Sequence, residues 1–130
     1  QKMVAVNASE MSQAITQTGR VALYGILFDF DKAEIKSESK PQLDEIAALL
    51  RTEQSLKLLV AGHTDTVGGA AHNLDLSRRR ADAVVAALTQ EYRIAAARLI
   101  AQGMGSGSPV ASNDTEPGRA KNRRVELVKQ

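Results

Sequence analysis

Cysteine and tryptophan are absent from this 130-residue chain, and it has only two phenylalanines and two tyrosines. Without cysteine it can form no disulfide, offer no thiol nucleophile and build no thiolate metal site, and it suits cytoplasm and periplasm equally. With so few aromatics the core must be assembled from Leu, Ile, Val and Ala. The lack of Trp also argues against a sugar-stacking cleft. Charge of one sign is missing as well: the formal net charge is +2, too little for a global field that recruits polyanions. Basic residues crowd only the C-terminus, at Arg119, Lys121, Arg123, Arg124 and Lys129, as a solvated end or a local anion patch. No aromatic stacking position lies among them, so nucleic acid is not an expected partner. No run approaches the roughly 18 apolar residues of a membrane helix, and no signal-peptide pattern is visible. An opening at Gln1 is expected of a mature form or an excised fragment.

What is present reads as one domain of ordinary globular composition, 43% hydrophobic and 25% charged. Val4, Ala8, Met11 and Ile15 recur at helical spacing ahead of Gly19, predicting a short helix or a linker. The run Val21 to Phe30, VALYGILFDF, predicts a buried strand. Ser39 and Gln42 have the spacing of a capping box, with Pro41 in the first turn of a helix whose inward stripe is Leu43, Ile46, Ala47 and Leu50. Leu56 to Ala61 predicts a second strand closed by Gly62. Asn73 is placed as the N-cap of a helix to about Gln90, with Ala81, Val84, Val85 and Leu88 inward. Arg98 to Met104 predicts a third strand, residues 105 to 118 a long loop, and Arg123 to Val128 a last strand. The expectation is an α+β domain, βαβαββ, with a mixed parallel and antiparallel sheet and helices on one face.

Four clusters fall where strands end or helices begin: FDFDK (28–32), GHTDTVG (62–68), NLDLSRRRA (73–81) and GRAKNRRV (118–125). Such ends are where a sheet presents binding groups. Asp65 follows the second strand, and Arg80 lies seven residues beyond Asn73, on the same helix face. A carboxylate and a guanidinium across one pocket would receive a zwitterion such as an amino-acid head group. The same spacing also permits an ordinary internal Asp–Arg ion pair, which is the more common arrangement. Gly68 and Gly69 permit close backbone approach, and the following helix start offers unpaired N–H groups. Thr66, Val67 and Asn73 would line this loop, with turn and cap chemistry as their alternative role. His63, Asp65 and His72 could supply metal donors, but their spacing is not that of a helix pair, and a hydrogen-bonded loop histidine is the commoner reading. No G-x-S-x-G elbow is present, and nothing singles out one of Asp29, Asp31 and Asp65 as a raised-pKa acid. No catalytic residue and no metal is expected.

At these clusters the chain resembles the OmpA C-terminal domain family, which includes peptidoglycan-associated lipoprotein and the wall-binding part of flagellar stators. The pattern runs in order through FDFDKAEIKSES, GHTDTVG, NLDLSRRRA and GRAKNRRVEL and covers roughly residues 21 to 129. The resemblance implies a domain over 21–130, with 1–20 as an extension leading from another domain. It implies a non-enzymatic module, without cofactor, that binds peptidoglycan through meso-diaminopimelate of the peptide stem and anchors a periplasmic or outer-membrane protein to the wall. The family's aspartate after G-H-T falls on Asp65 and its L-S-x-x-R-A arginine on Arg80, the residues that hold the amino and carboxylate ends of diaminopimelate. Asn73, Asp31, Thr66, Val67 and Arg124 fall beside them. Asp31 stands where some members have asparagine, adding negative charge. Val67 stands where many have threonine, leaving only its backbone to contribute.

Overall fold

The computed structural model describes residues 5–130. The opening helix α1 (Ala8–Thr18) forms because Asn7 and Glu10 cap each other's backbone N–H groups and Gly19 ends it in a left-handed conformation. Met11 and Ile15 are buried in the same apolar cluster as the rest of the chain, whereas Val4 lies outside the described residues.

Strand β1 (Arg20–Leu23) is much shorter than the apolar run that predicts it. A strand needs a partner, and β4 (Arg124–Lys129) supplies one only as far as Val125, opposite Leu23. Beyond that point the chain crosses to the next helix. Leu27 N–H donates to the Ser39 hydroxyl at 2.7 Å, and Phe28 makes a single bridge to Ile35. Ile26 remains buried, but Phe30 points into solvent.

Helix α2 (Lys40–Thr52) starts where Ser39 and Pro41 indicate, but the capping box does not form. The Ser39 hydroxyl is taken by Leu27. The Gln42 amide bonds both backbone groups of Val6, N–H and carbonyl, at 2.9 Å each. Both side chains are buried, so a long-range partner that satisfies them outcompetes the local cap. Leu43, Ile46, Ala47 and Leu50 face inward as their spacing predicts.

Strand β2 (Leu58–His63) runs two residues later than expected and contains Gly62 instead of stopping there. The reason is helix α3 (Ala70–Gln90), which lies directly on the sheet. A Cβ on Gly62 would sit 2.4 Å from the Ser77 carbonyl oxygen. One on Gly103, its neighbour in β3 (Leu99–Gly105), would sit 2.5 Å from Arg78 N. Only glycine permits that approach.

Helix α4 (Glu116–Asn122) occupies the end of the segment expected to be loop. Thr115 caps it by accepting from Gly118 N–H, and Pro117 fits its first turn. The rest of that loop is held by buried Asn122, which binds the backbone of Val110 and Ala111 and the side chain of Asn113.

The sheet order is β1-β4-β2-β3, with β2 and β3 parallel and β4 antiparallel to both its neighbours. This is the mixed α+β architecture the sequence predicts, with the opening segment formed as the helix α1 and with α4 added. One face of the sheet, carrying Leu23, Leu58, Val60, Leu99, Val125 and Leu127, meets buried residues of the helices in a single core. The period-two alternation puts His63, Arg124 and Glu126 on the other face.

Candidate functional site

At the end of β2, beside the start of β4, an open cleft of about 700 Å³ is bounded by the Phe28–Asp31 segment, the Thr64–Gly68 loop, α3 and α4. Asp65 is buried in its wall, and its carboxylate is fully engaged on one side. Oδ1 accepts from Val67 N–H at 2.9 Å and Oδ2 from Arg123 Nη1 at 2.7 Å. The loop that carries it is fixed by Asn73, whose Nδ2 donates to the Asp65 carbonyl at 3.2 Å and to the Val67 carbonyl at 3.0 Å. Asn73 is therefore not the N-cap. Gly69 occupies that position and α3 begins at Ala70, so Asn73 sits inside the first turn facing the loop. A local cap would satisfy one amide, whereas this placement satisfies two loop carbonyls, that of Asp65 buried.

Arg80 lies on the other side of the cleft. Its Nε donates to the Lys32 carbonyl at 2.8 Å and its Nη2 to the Asp29 carbonyl at 3.2 Å, with the guanidinium over the Phe28 ring at 4.9 Å. Among the described residues no carboxylate forms an ion pair with it, and none bonds its Nη1. Burial lowers its pKa from the ordinary arginine value, an effect opposed by the charges of Asp31 and Asp65. The internal Asp65–Arg80 salt bridge is thus not formed.

The cation that meets Asp65 is Arg123, which sequence reasoning passed over in favour of Arg124. The last strand begins at Arg124, one residue later than expected. That offset sends Arg124 to the face of the sheet away from the helices, where it donates to Glu126 at 2.6 Å and to the carbonyls of Asn122 and Ser108. Its side chain is 3% exposed, so it is internal, not a free cation at the mouth. Arg123, left at the helix–strand junction, spans Asp65 and Glu116, and Glu116 in turn accepts from Arg119. The Glu116 hydrogen bond, more than that of Asp65, raises the Arg123 pKa, and Arg123 lowers that of Glu116. A usable signal was available: Glu116 and Arg123 are seven residues apart, one helix face.

Asp31 sits on the turn Asp29–Lys32 with φ +61°, a left-handed conformation uncommon outside glycine. Its carboxylate meets His72 Nε2 at 2.5 Å, and that contact holds its pKa below the usual carboxylate range. His72 belongs to the first turn of α3, not to a loop. Val67 lines the cleft, but Thr66 is exposed and lies outside its wall. His63 is buried beside Glu126 and Arg124. Burial first, and Arg124 second, lower its pKa, and its Nδ1 has no hydrogen-bond partner among the described residues. Among those residues, too, no three His, Asp or Glu side chains are arranged to hold a metal ion, so His63, Asp65 and His72 do not converge. No helix there is long and apolar enough to cross a membrane.

These features define an α+β module with a polar, charge-bearing cleft at the end of its sheet. The chain belongs to the OmpA family, whose pattern matches residues 27–123. It is 43% identical over 113 residues to outer membrane porin F of Pseudomonas aeruginosa, covering 87% of this chain and 32% of that protein. It is 42% identical over 100 residues to outer membrane protein A of Bordetella avium, covering 77% of this chain and 51% of that protein. The chain therefore spans about a third to a half of these relatives. Its fold is similar to the crystal structure of the peptidoglycan-associated lipoprotein from Burkholderia pseudomallei, with TM-score 0.73 and 33% identity over 81% of this chain and 88% of that one. It is also similar to the cell wall anchor of the T6SS from Pseudomonas aeruginosa, with TM-score 0.72 and 29% identity over 96% and 98%.

Proposed function

We propose that this domain binds peptidoglycan non-covalently through meso-diaminopimelate of the peptide stem. By doing so it anchors a periplasmic or outer-membrane protein to the cell wall. The observation that carries the reading is the pairing across one cleft of a buried carboxylate with a half-buried guanidinium that has no carboxylate of its own among the described residues. Asp65 receives the ligand's side-chain ammonium. Each carboxylate oxygen accepts more than one hydrogen bond, so the ammonium joins Val67 N–H and Arg123 without displacing them. Arg80 receives the carboxylate at the same stereocentre through Nη1 and the remaining Nη2 proton, because Nε is spent on the Lys32 carbonyl. Asn73 acts through the loop it staples, Asp31 adds negative charge at the mouth, and Arg123 sets the orientation of Asp65. The names of the solved relatives, a peptidoglycan-associated lipoprotein and a cell wall anchor, support peptidoglycan as the partner.

The test is a sacculus pull-down. The domain pellets with diaminopimelate-type wall, is released by free meso-diaminopimelate, and liberates no soluble fragments. Release of fragments would identify a hydrolase instead, and binding that diaminopimelate does not compete would put the ligand elsewhere.

A further inference from the structure

Phe30 stands 84% exposed at the mouth of the cleft, in a chain with only one other phenylalanine. It adds nothing to the core, yet the turn that carries it is fixed to α3 at three points. Arg80 holds the carbonyls of Asp29 and Lys32, and His72 holds the carboxylate of Asp31. The turn also keeps Asp31 at positive φ, which costs free energy for a non-glycine residue. Val67 lines the same mouth and is 52% exposed, on a backbone pinned by Asp65 and Asn73. Two apolar side chains are thus held out of the core on backbone that polar residues have immobilised. The cleft, at about 700 Å³, is also larger than one amino-acid head group, since pockets of roughly 300–1,000 Å³ take ligands of drug size.

We propose that Phe30 and Val67 form an apolar slot that receives the alanine methyls and backbone of the stem peptide adjoining diaminopimelate. The domain then reads the stem as a peptide and not as one residue. This rests on the stem-binding reading above. A ring and a branched aliphatic lining the same cleft suit methyl groups. A pyranose face would call for a broader aromatic platform, and this chain has no Trp.

The experiment is calorimetric titration of the folded domain with three ligands: free meso-diaminopimelate, the stem pentapeptide containing it, and that pentapeptide on its disaccharide. Wild type is compared with Phe30→Ala, Phe30→Leu and Val67→Ala, each checked by a melting curve. Phe30→Ala weakens pentapeptide binding roughly threefold to tenfold more than it weakens binding of free diaminopimelate, the size expected from uncovering part of one ring. Phe30→Leu restores most of the loss, Val67→Ala gives a smaller loss of the same kind, and the disaccharide leaves the ratio unchanged. An equal change for diaminopimelate and pentapeptide, or none for either, would overturn the slot. A loss confined to the disaccharide ligand would overturn it too, by assigning Phe30 to the glycan. Failure of the wild type to bind any of the three would remove the stem reading itself, and the slot with it.

Discussion

Changing Asp65 to asparagine isolates the charge of the central carboxylate from its shape. The amide oxygen can still accept from Val67 N–H, so the loop keeps its local bond. The amide nitrogen then faces Arg123 Nη1, donor against donor, and the guanidinium withdraws toward Glu116, which already binds it at 2.6 Å. The stability cost is small, because the Arg123 side chain is 39% exposed and solvent screens the pair. About 1 kcal/mol is the scale for such a contact, and in a domain of this size it lowers the melting temperature by roughly 3–5 °C. Binding suffers more. Removing one partner of a desolvated charge contact costs about 2–5 kcal/mol, or roughly 30-fold to several thousand-fold in affinity. Titration with meso-diaminopimelate and a sacculus pull-down read that loss, while circular dichroism shows the fold intact. An Asp65→Asn variant that stays folded and binds within about threefold of wild type, a change under about 1 kcal/mol, would refute the role assigned to the charge. A binding loss that tracks unfolding would make Asp65 structural.

Arg80→Lys should abolish detectable wall binding although charge is kept, since an ammonium cannot hold the carbonyls of Asp29 and Lys32 and a ligand carboxylate together; wild-type affinity in that variant would count against the geometry. Lysine-type wall, whose third stem residue lacks the second carboxylate, should bind at least about fivefold more weakly, because Arg80 is left without its carboxylate partner at a cost of about 1–3 kcal/mol; equal retention of both wall types would sink the stereocentre assignment. EDTA should change neither the melting temperature nor wall binding, given the divergence of His63, Asp65 and His72. The lowered pKa of buried His63 makes a signed prediction. Below its ordinary value near 6.5 the unfolded chain takes up a proton that the folded domain resists, so stability is full above that pH and falls as pH drops toward about 5. His63→Asn should be less stable overall but should flatten the melting-temperature slope between about pH 7 and 5, and an unchanged slope would assign the effect to the carboxylates.

Much of the site was legible because its signals are local. The glycine-rich loop after an apolar run marked where Asp65 would stand, and the seven-residue step from Asn73 put Arg80 on the same helix face. What escaped were choices between competing partners. Gln42 and Ser39 have the spacing of a capping box, yet they serve Val6 and Leu27, residues 36 and 12 positions away. Asn73 has the chemistry of a cap and instead closes the Asp65 loop. Thr115, Glu116 and Pro117 carried a helix-start signature that the loop-like composition around them obscured.

The sequence by itself determined α2 and α3 and their inward stripes, because helical spacing is a short-range geometric rule. Leu43, Ile46, Ala47 and Leu50, and later Ala81, Val84 and Leu88, face the core as their periodicity requires. It also placed Asp65 just past the end of a strand and Arg80 on the helix that follows. Tertiary structure decided which arginine reaches Asp65. Side chains on a strand alternate with period two, so the phase of β4 against β2 settles whether Arg123 or Arg124 turns toward Asp65. That register comes from pairing with β2 and β1, which lie far back along the chain. Val128 stands opposite Leu59 on one side and Arg20 on the other, and no local pattern encodes either match. Only the assembled sheet could set Arg124 beside Glu126 and leave Arg123 to meet Asp65.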